Sequence, residues 1–370
     1  MTFKKICFKI HKILGIVSGF VVSIVALTGC LWAFQPEIES LYDDYKHVEP
    51  QEQEFISPSI ANDVAKGVYP DNTIYRMSYS GRDGAIQVMF YDGKPLFYRS
   101  VFLNPYSGEV LRVVDHTADF FALILMGHRS LWLPYSVGSK VIGSFVLIFL
   151  VVAVSGLIIW LPKRAKYLRK RLRFRWKKGT KMGRKLYDLH SILGVYTLLF
   201  AIIFAITGVV ITFNWAKTAV YASVGGEKVL ERAAPKSGDP TEGQADVQSP
   251  SVDRIFYRIQ SENPDAAQIG VQFPRSEQGC ITIEIAPEKN LYYNIDYRYF
   301  DQYTLEELNT PSIYGRHKDN DAADKLIRMN YDLHTGAIFG IWGRVLAFLA
   351  SLIIAGMPIT GYLMWWRKRR

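Results

Sequence analysis

The chain has 370 residues, of which 49% are hydrophobic, and its three cysteines are too few for a disulfide framework. Its formal net charge is +10, but 21 of the 44 Lys and Arg residues fall in three short segments, 1–12, 163–187 and 367–370. Because these segments adjoin long apolar runs, the charge indicates membrane topology and lipid contact, and it argues against nucleic-acid binding.

Four apolar runs of about twenty residues are each long enough to cross the hydrocarbon core of a bilayer. They are 13–34, 141–161, 191–213 and 340–366. A buried core helix seldom stays apolar on every face over such a length. The positive-inside rule then predicts a multi-pass protein with both termini and the 163–187 loop in the cytoplasm.

The first and third runs repeat one another. Each follows a histidine, His11 or His190, and each has Thr-Gly seventeen and eighteen residues later. A looser repeat relates the second and fourth runs, in which His128 and His334 precede distal Ser-Gly and Thr-Gly pairs. Small residues near His11 leave room either for a flat macrocycle or for a close helix neighbour; they are Gly15, Ser18 and Gly19.

The N-terminal run also resembles a signal peptide with a lipoprotein cleavage box at residues 27–30. The same Thr-Gly pair recurs in the third run, where no processing is possible. This recurrence favours an uncleaved helix.

The two long segments between the runs are predicted to lie outside the membrane. Each begins with a short helical pattern and continues with β-branched and aromatic strands. The helices are predicted at 59–66 and 252–261, and the strands at 73–80, 85–92, 96–103, 267–273, 279–286 and 291–299. A turn with Gly108 follows the third strand, whereas its second copy, 300–306, lacks the glycine and leaves the turn geometry open.

These patterns predict an α-helical membrane protein: a four-transmembrane-helix bundle built from two tandem repeats, with two extracytoplasmic α+β domains. The predicted boundaries are 1–34 for the N-terminus and first helix, 35–127 for the first outer domain, 128–162 for the second helix, 163–187 for a basic cytoplasmic loop, 188–214 for the third helix, 215–333 for the second outer domain, and 334–370 for the fourth helix and basic tail.

An imidazole inside a membrane needs a partner, so the four helix-end histidines are candidate functional residues. The topology places His11 and His190 at the cytoplasmic side and His128 and His334 at the outer side. Each pair suits the two axial positions of one six-coordinate haem, which would be b-type because the sequence has no C-x-x-C-H motif. The alternative is that all four are interfacial histidines bonded to water or backbone carbonyls.

Haem propionates would need cations near each pair. The outer candidates are Arg129, Lys140 and Arg344, and the inner ones are Lys12 and Lys185. Arg344 is favoured because a charge in a spanning helix needs a counter-ion, although it could equally snorkel to the interface. The remaining histidines, expected to be surface residues, are His47, His116 and His317.

With these features the chain resembles the PepSY-associated transmembrane helix family over nearly its whole length. The resemblance rests on His11 with Leu14-Gly15 and the later Thr-Gly, on NPYSGEVL at 104–111, on His128 with its distal Ser-Gly and Trp160, and on their second copies. The family includes inner-membrane di-haem reductases of ferric siderophores. The resemblance therefore implies a protein of the bacterial inner (cytoplasmic) membrane with PepSY-like outer domains. It also implies two haem b groups held by His11, His128, His190 and His334.

We accordingly expect an oxidoreductase that transfers electrons through two haems to a ferric siderophore or other ferric chelate at the periplasmic face, in support of iron uptake. A Cu(II) complex or a quinone remains open as the outer acceptor. Because the chain ends at Arg370 without a reductase module, the expected donor is a cytoplasmic flavin- or NAD(P)H-dependent reductant or quinol.

Two alternatives come from other functional classes. The outer domains could form a membrane-anchored binding or regulatory module without redox activity, although the matched histidines argue against mere anchoring. An iron-chelate transporter is the second alternative, and a lack of buried carboxylates in the four helices argues against it.

Overall fold

A computed structural model describes residues 2–93, 96–239 and 248–367, so the end of the predicted basic tail, 368–370, lies outside the described residues. The chain separates into two compact units. The helical unit comprises Met1–Gln35, Phe120–Val220 and Asn330–Arg370. The sheet unit comprises Pro36–Asp119 and Tyr221–Met329.

The helices of the described residues are numbered here in chain order. They are α1 (Phe3–Ala33), α2 (Gln35–Glu39), α3 (Pro58–Val68), α4 (Phe120–Ser130), α5 (Tyr135–Trp160), α6 (Leu168–Arg171), α7 (Met182–Asp188), α8 (Gly194–Tyr196), α9 (Leu198–Thr212), α10 (Asn214–Ser223), α11 (Gln248–Glu262), α12 (Ala322–Arg328), α13 (Asn330–Thr335) and α14 (Gly340–Arg367). A π turn, Leu189–Leu193, joins α7 to α8. Single 3-10 turns lie at Asp44–Lys46, Ala165–Tyr167, His317–Asp319 and Ala337–Phe339.

Three helical segments of the described chain are long and apolar enough to cross a membrane: α1, α5 and Ala337–Arg367. Large apolar side chains on these helices face outward, as Phe20 of α1 (77% exposed) and Trp342 of α14 (76% exposed) do, which is typical of lipid-facing positions. The third predicted span, 191–213, is bent, because Met182–Tyr196 and Leu198–Thr212 meet at 60°. The described residues thus contain three candidate membrane spans, or four if the bent pair is one span.

The bend has two local causes. The π turn interrupts the regular hydrogen-bond ladder just before it, and such turns commonly kink helices. The hydroxyl of Thr197 then donates to the carbonyl of Leu193 at 2.9 Å, a back-bond that also bends helices. Apolar periodicity alone does not reveal either feature.

Small residues allow the spanning helices to approach closely. A Cβ on Gly19 would lie 2.8 Å from the Cβ of Pro358, so this glycine brings α1 against α14. A Cβ on Gly143 would lie 2.5 Å from the ring of Phe213 and thus brings α5 close to the end of α9. Of the two roles considered for Gly19, a close helix neighbour is therefore the one that the structure supports.

The sheet unit contains one antiparallel sheet of eight strands in the order β4-β3-β2-β1-β5-β6-β7-β8. The strands are β1 (Ile74–Tyr79), β2 (Ile86–Gly93), β3 (Leu96–Leu103), β4 (Val110–Asp115), β5 (Gln268–Gln272), β6 (Cys280–Ala286), β7 (Asp296–Asp301) and β8 (Glu307–Leu308). The strand predicted at 291–299 begins later than expected, because residues before Asp296 form a turn in which Asn290 has a φ of 61°.

The two outer segments form one unit where the sequence analysis predicted two domains. β1 of the first segment pairs with β5 of the second, with Ser78 opposite Gly270. One hydrophobic core extends across both segments and includes the fully buried Phe90, Phe256 and Phe300. Two segments that each present an unpaired strand edge can satisfy both edges by pairing with each other, which explains the joint sheet.

The turn at 300–306, which lacks a glycine, has the same geometry as the first turn, which contains Gly108. The side chain of Asn104 accepts hydrogen bonds from the backbone of Tyr106 and Ser107, and Asp301 does the same two and three residues ahead. Leu305, with a φ of 62°, takes the left-handed position held by Gly108. Such a conformation costs a non-glycine residue about 1–2 kcal/mol.

Candidate functional site in the helical unit

The four histidines singled out by the repeats lie in two pairs within the helical unit. The ring centroids of His11 and His190 are 6.1 Å apart, with the ring planes at 85°. Those of His128 and His334 are also 6.1 Å apart, with the planes at 62°. Each pair combines one residue from each half of the chain, as the topology predicted.

Three of the four histidines lie at or near interruptions of the helices. His128 is near the end of α4, before Leu131 and Trp132, whose φ values of 52° and 59° are left-handed. His334 is near the end of α13, before Gly336 with a φ of 80°. His190 lies in the π turn, a feature that is frequent at functional sites and that the sequence analysis missed.

The Nδ1 atoms of the first-half histidines are held by backbone carbonyls. His11 Nδ1 donates to the carbonyl of Val152 at 2.9 Å, and His128 Nδ1 donates to that of Val25 at 2.9 Å. Because a carbonyl can only accept, the proton lies on Nδ1 and the Nε2 lone pair is free to bind a metal.

The second-half histidines reach the same tautomer through hydroxyl groups. His190 Nδ1 lies 2.9 Å from Thr360 Oγ1, and His334 Nδ1 lies 2.8 Å from Thr207 Oγ1. Both hydroxyls already donate to carbonyls of their own helices, at 2.8 Å and 2.6 Å, so each accepts from the imidazole. Within the described residues, no hydrogen bond involves Nε2 of any of these four histidines, and metal-binding histidines commonly have this arrangement.

The glycines of the repeated Thr-Gly and Ser-Gly pairs lie directly against the four imidazole rings. The sequence analysis did not predict this role. A Cβ on the glycine would lie only 3.0 to 3.4 Å from the Cε1 atom of the facing imidazole. The matched sets are Gly156 with His11, Gly29 with His128, Gly208 with His334 and Gly361 with His190. Each glycine comes from the same half of the chain as its histidine. Their constant offset in the repeats was the sequence signal for this role.

Two buried carboxylates also escaped the sequence analysis. Asp188 and Asp332 are 5% and 0% exposed, and each precedes a paired histidine by two residues in an Asp-Leu-His sequence. Asp188 accepts hydrogen bonds from Trp176 at 3.1 Å and Arg184 at 3.0 Å. Both lie inside the helical unit, Asp188 just before the apolar run 191–213 and Asp332 just before the run 340–366. A lack of buried carboxylates therefore no longer argues against a transport path.

The predicted cations all lie in the helical unit, and Arg129 follows His128 directly along the chain. Arg129 packs on the ring of Tyr135, 4.7 Å from its centroid, and donates to its hydroxyl at 2.9 Å. Lys140 on α5 is exposed and Arg344 on α14 is half-buried. Of the inner candidates, Lys12 is exposed and Lys185 lies 5.9 Å from the ring centroid of Trp176.

The three other histidines lie in the sheet unit and are not paired with one another. His47 is exposed, as expected. His116 and His317 are half-buried, which corrects the expectation that they are simple surface residues. His116 Nε2 lies 2.9 Å from the hydroxyl of Ser100, and burial lowers its pKa. His317 packs against Tyr293 at 5.5 Å between ring centroids.

The family model described as the PepSY-associated TM region matches residues 8–368, and the chain therefore belongs to this family. A search of curated proteins found no match.

Proposed function

We propose that this member of the PepSY-associated family is a transmembrane electron-transfer protein of the bacterial inner membrane. It would hold one haem b at each histidine pair and reduce a ferric siderophore or related ferric chelate at the periplasmic face, in support of iron uptake. The basic loop and termini would lie in the cytoplasm, as the positive-inside rule predicts. The donor would be a cytoplasmic flavin- or NAD(P)H-dependent reductant or quinol.

The spacing of the rings is the observation that carries this proposal. A metal held between two imidazoles at bond lengths of about 2.0–2.1 Å would separate the ring centroids by roughly 6.3 Å. Both pairs have centroids 6.1 Å apart. The two pairs thus fit the same ligand geometry although one lies beside a π turn and the other beside left-handed residues.

The ligand count favours a tetrapyrrole over a bare metal ion. Among the described residues no cluster of three or more His, Cys, Asp or Glu side chains could hold a metal. A pair of imidazoles supplies two ligands, whereas protein-only zinc sites have three or four. A haem would supply four nitrogens of its own, and each histidine pair would supply the two remaining ligands. The absence of C-x-x-C-H from the sequence favours haem b.

When bound, a bis-histidine haem supplies one-electron chemistry with no open position for O₂. The protein's part is to fix the imidazoles. Val152 and Val25 accept the Nδ1 protons of His11 and His128, and Thr360 and Thr207 accept those of His190 and His334. A second partner of this kind orients the ring and raises its basicity as a ligand.

Reduction of a ferric chelate would release its metal, since Fe(II) binds hard oxygen ligands more weakly than Fe(III) does. The sheet unit is the candidate docking surface for such a chelate, because the proposed topology places it outside the membrane. A membrane-anchored binding module or a transporter would need no haem, so haem content distinguishes these functions from the proposed one.

The test is the absorption spectrum of the purified full chain together with a pyridine haemochrome assay. We expect about two haem b per chain, each with the spectrum of a low-spin, six-coordinate iron. The reduced protein should then be reoxidised by a ferric hydroxamate chelate, with Fe(II) trapped as a coloured complex. Reoxidation only by a Cu(II) chelate or a quinone would reject iron as the acceptor. Haem-free protein from haem-replete cells would reject the proposal altogether.

A further inference from the structure

We propose that a basic cavity in the helical unit, between the end of α5 and the start of α7, binds a phosphate-bearing ligand. The cavity has a volume of about 560 Å³, which is within the range of small-molecule sites. Six cationic side chains line it: Lys163, Lys170, Arg171, Arg173, Arg175 and Arg184. None of the four paired histidines lines the cavity, and the proposal does not depend on the proposed electron transfer.

The charges that line the cavity are not balanced by the protein. Asp188 is the acidic residue among them, and its carboxylate is taken by Arg184 at 3.0 Å and by Trp176 at 3.1 Å. Within the described residues, the other five cations form no salt bridge. Like charges that converge on one space repel each other, so an anion in the cavity would stabilise the arrangement.

Trp160 provides a second observation that points to a ligand. It lines the cavity and is 9% exposed, yet its indole Nε1–H has no hydrogen-bond partner among the described residues. A buried N–H is seldom left without a partner, and such an exception requires an explanation. An anionic oxygen in the cavity would accept this hydrogen bond.

The basic segment is attached to the helices at several points and is therefore not a loose tail. Arg171 donates to the carbonyl of Trp160 at the end of α5. Tyr196 donates through its hydroxyl to the carbonyl of Leu172 at 3.0 Å, and Trp176 is bonded to Asp188. These contacts fix residues on both sides of Arg173 and Arg175. The cavity is thus built before a ligand arrives.

The chemistry of the lining selects phosphate. Arginine presents a planar fork of N–H donors that matches phosphate oxygens, and three of the four arginines form no ion pair within the described chain. The phosphate could belong to the headgroup of an anionic lipid or to a soluble nucleotide such as flavin mononucleotide. Basic pockets between transmembrane helices bind such lipid headgroups, and the residues Ser191 and Ile192 place this cavity beside the turn that carries His190.

The test compares two charge-matched variants of the full chain. Arg173→Gln/Arg175→Gln removes two cations from the cavity, whereas Lys177→Gln/Lys178→Gln removes two from the same segment outside the lining. Flavin mononucleotide is titrated by fluorescence in detergent, with inorganic phosphate as competitor. Retained phosphatidylglycerol is measured by native mass spectrometry after extraction from bilayers that contain it.

We expect the cavity variant to lose at least about tenfold in affinity or retention for one of the two probes, while the control variant stays close to the parent. Loss of nucleotide binding with phosphate competition identifies a soluble ligand, and loss of lipid retention identifies a headgroup. Trp160→Phe, which keeps all charges, should weaken the same probe. Equal behaviour of the cavity and control variants with both probes would overturn the proposal. Since only binding is measured, a failure of the redox function would leave this result interpretable.

Discussion

His11 of α1 and His190 of the π turn belong to opposite halves of the chain, yet their ring centroids are 6.1 Å apart with the planes at 85°. Each ring is held by a different helix, since His11 donates to Val152 on α5 and His190 donates to Thr360 on α14. One imidazole can therefore be removed while the support of the other remains. The same is true of the second pair.

Exchange of His190 for alanine should remove one haem and leave the other. His190 is bonded to Thr360 and His334 to Thr207, so the two pairs have separate supports. The full-chain variant is therefore expected to retain about one haem b per chain in a pyridine haemochrome assay. His47→Ala, at an exposed position of the sheet unit, is the control and should retain both. Loss of both haems, or of neither, from the His190 variant would contradict the pairing.

Gly156→Ala should disturb the inner pair by steric contact. The new methyl group would lie 3.0 Å from Cε1 of His11, closer than ordinary packing, and such overpacking costs about 1–3 kcal/mol. We expect faster transfer of the inner haem to apomyoglobin. Gly356→Ala is the matched control in α14, because nothing lies within 4 Å of its added Cβ. Equal rates of haem transfer from the two variants would show that the space at Gly156 is not needed for the position of the His11 ring.

The sequence predicted the features that depend on local patterns or on internal repeats. Long apolar runs mark the spans because a bilayer imposes one length and one composition. The duplicated offsets of His11 and His190 predicted that these residues pair, and the structure brings them together. The bend at Thr197 was missed because a π turn and a hydroxyl back-bond leave the hydropathy pattern unchanged.

Other features depend on contacts between distant segments and could not be read from one sequence. The pairing of β1 with β5 joins segments nearly 200 residues apart, and two separate sheets would satisfy the same strand patterns. The Thr-Gly and Ser-Gly pairs were visible as repeats, but the partner of Gly156 depends on which helix faces α5. Asp188 and Asp332 lie in a repeated Asp-Leu-His sequence, a local signal from which their proximity to the histidines could have been predicted.

Thr207→Val should weaken ligation at the second pair without changing the volume of the side chain much. The substitution removes the hydroxyl that accepts from His334 Nδ1 at 2.8 Å, and loss of such a partner typically costs about 10–100-fold in metal affinity. The measurements are the rate of haem loss and the midpoint potential of the affected haem. Thr218→Val, at an exposed position of α10, is the control for the same change of side chain. An unchanged rate of haem loss and an unchanged midpoint potential in the Thr207 variant would show that Thr207 does not support the haem ligand.

The sheet unit should become less stable in acid, because Glu307 is then protonated and no longer pairs with its two arginines. Burial raises the pKa of this carboxyl, but hydrogen bonds from Arg298 at 2.7 Å and Arg316 at 2.8 Å outweigh it and lower the pKa to about 2. In the unfolded chain the pKa would be about 4.3. The folded-state pKa is lower than the unfolded-state pKa, so the ionised Glu307 stabilises the folded sheet unit. This stabilisation is fully present above pH about 4.3 and is lost as the pH falls towards 2.

Glu307→Gln should therefore flatten the pH dependence of unfolding within that window. We expect the thermal unfolding of the full chain in detergent, followed by the β-sheet circular dichroism signal, to differ most from the parent near neutral pH and least near pH 2. Glu49→Gln, at an exposed position, controls for the loss of one negative charge. Arg298 also donates a hydrogen bond to Glu262, so Arg298 still stabilises the folded state in the Glu307 variant. If the Glu307 and Glu49 variants showed the same pH dependence, the two arginines would not be the source of the acid sensitivity.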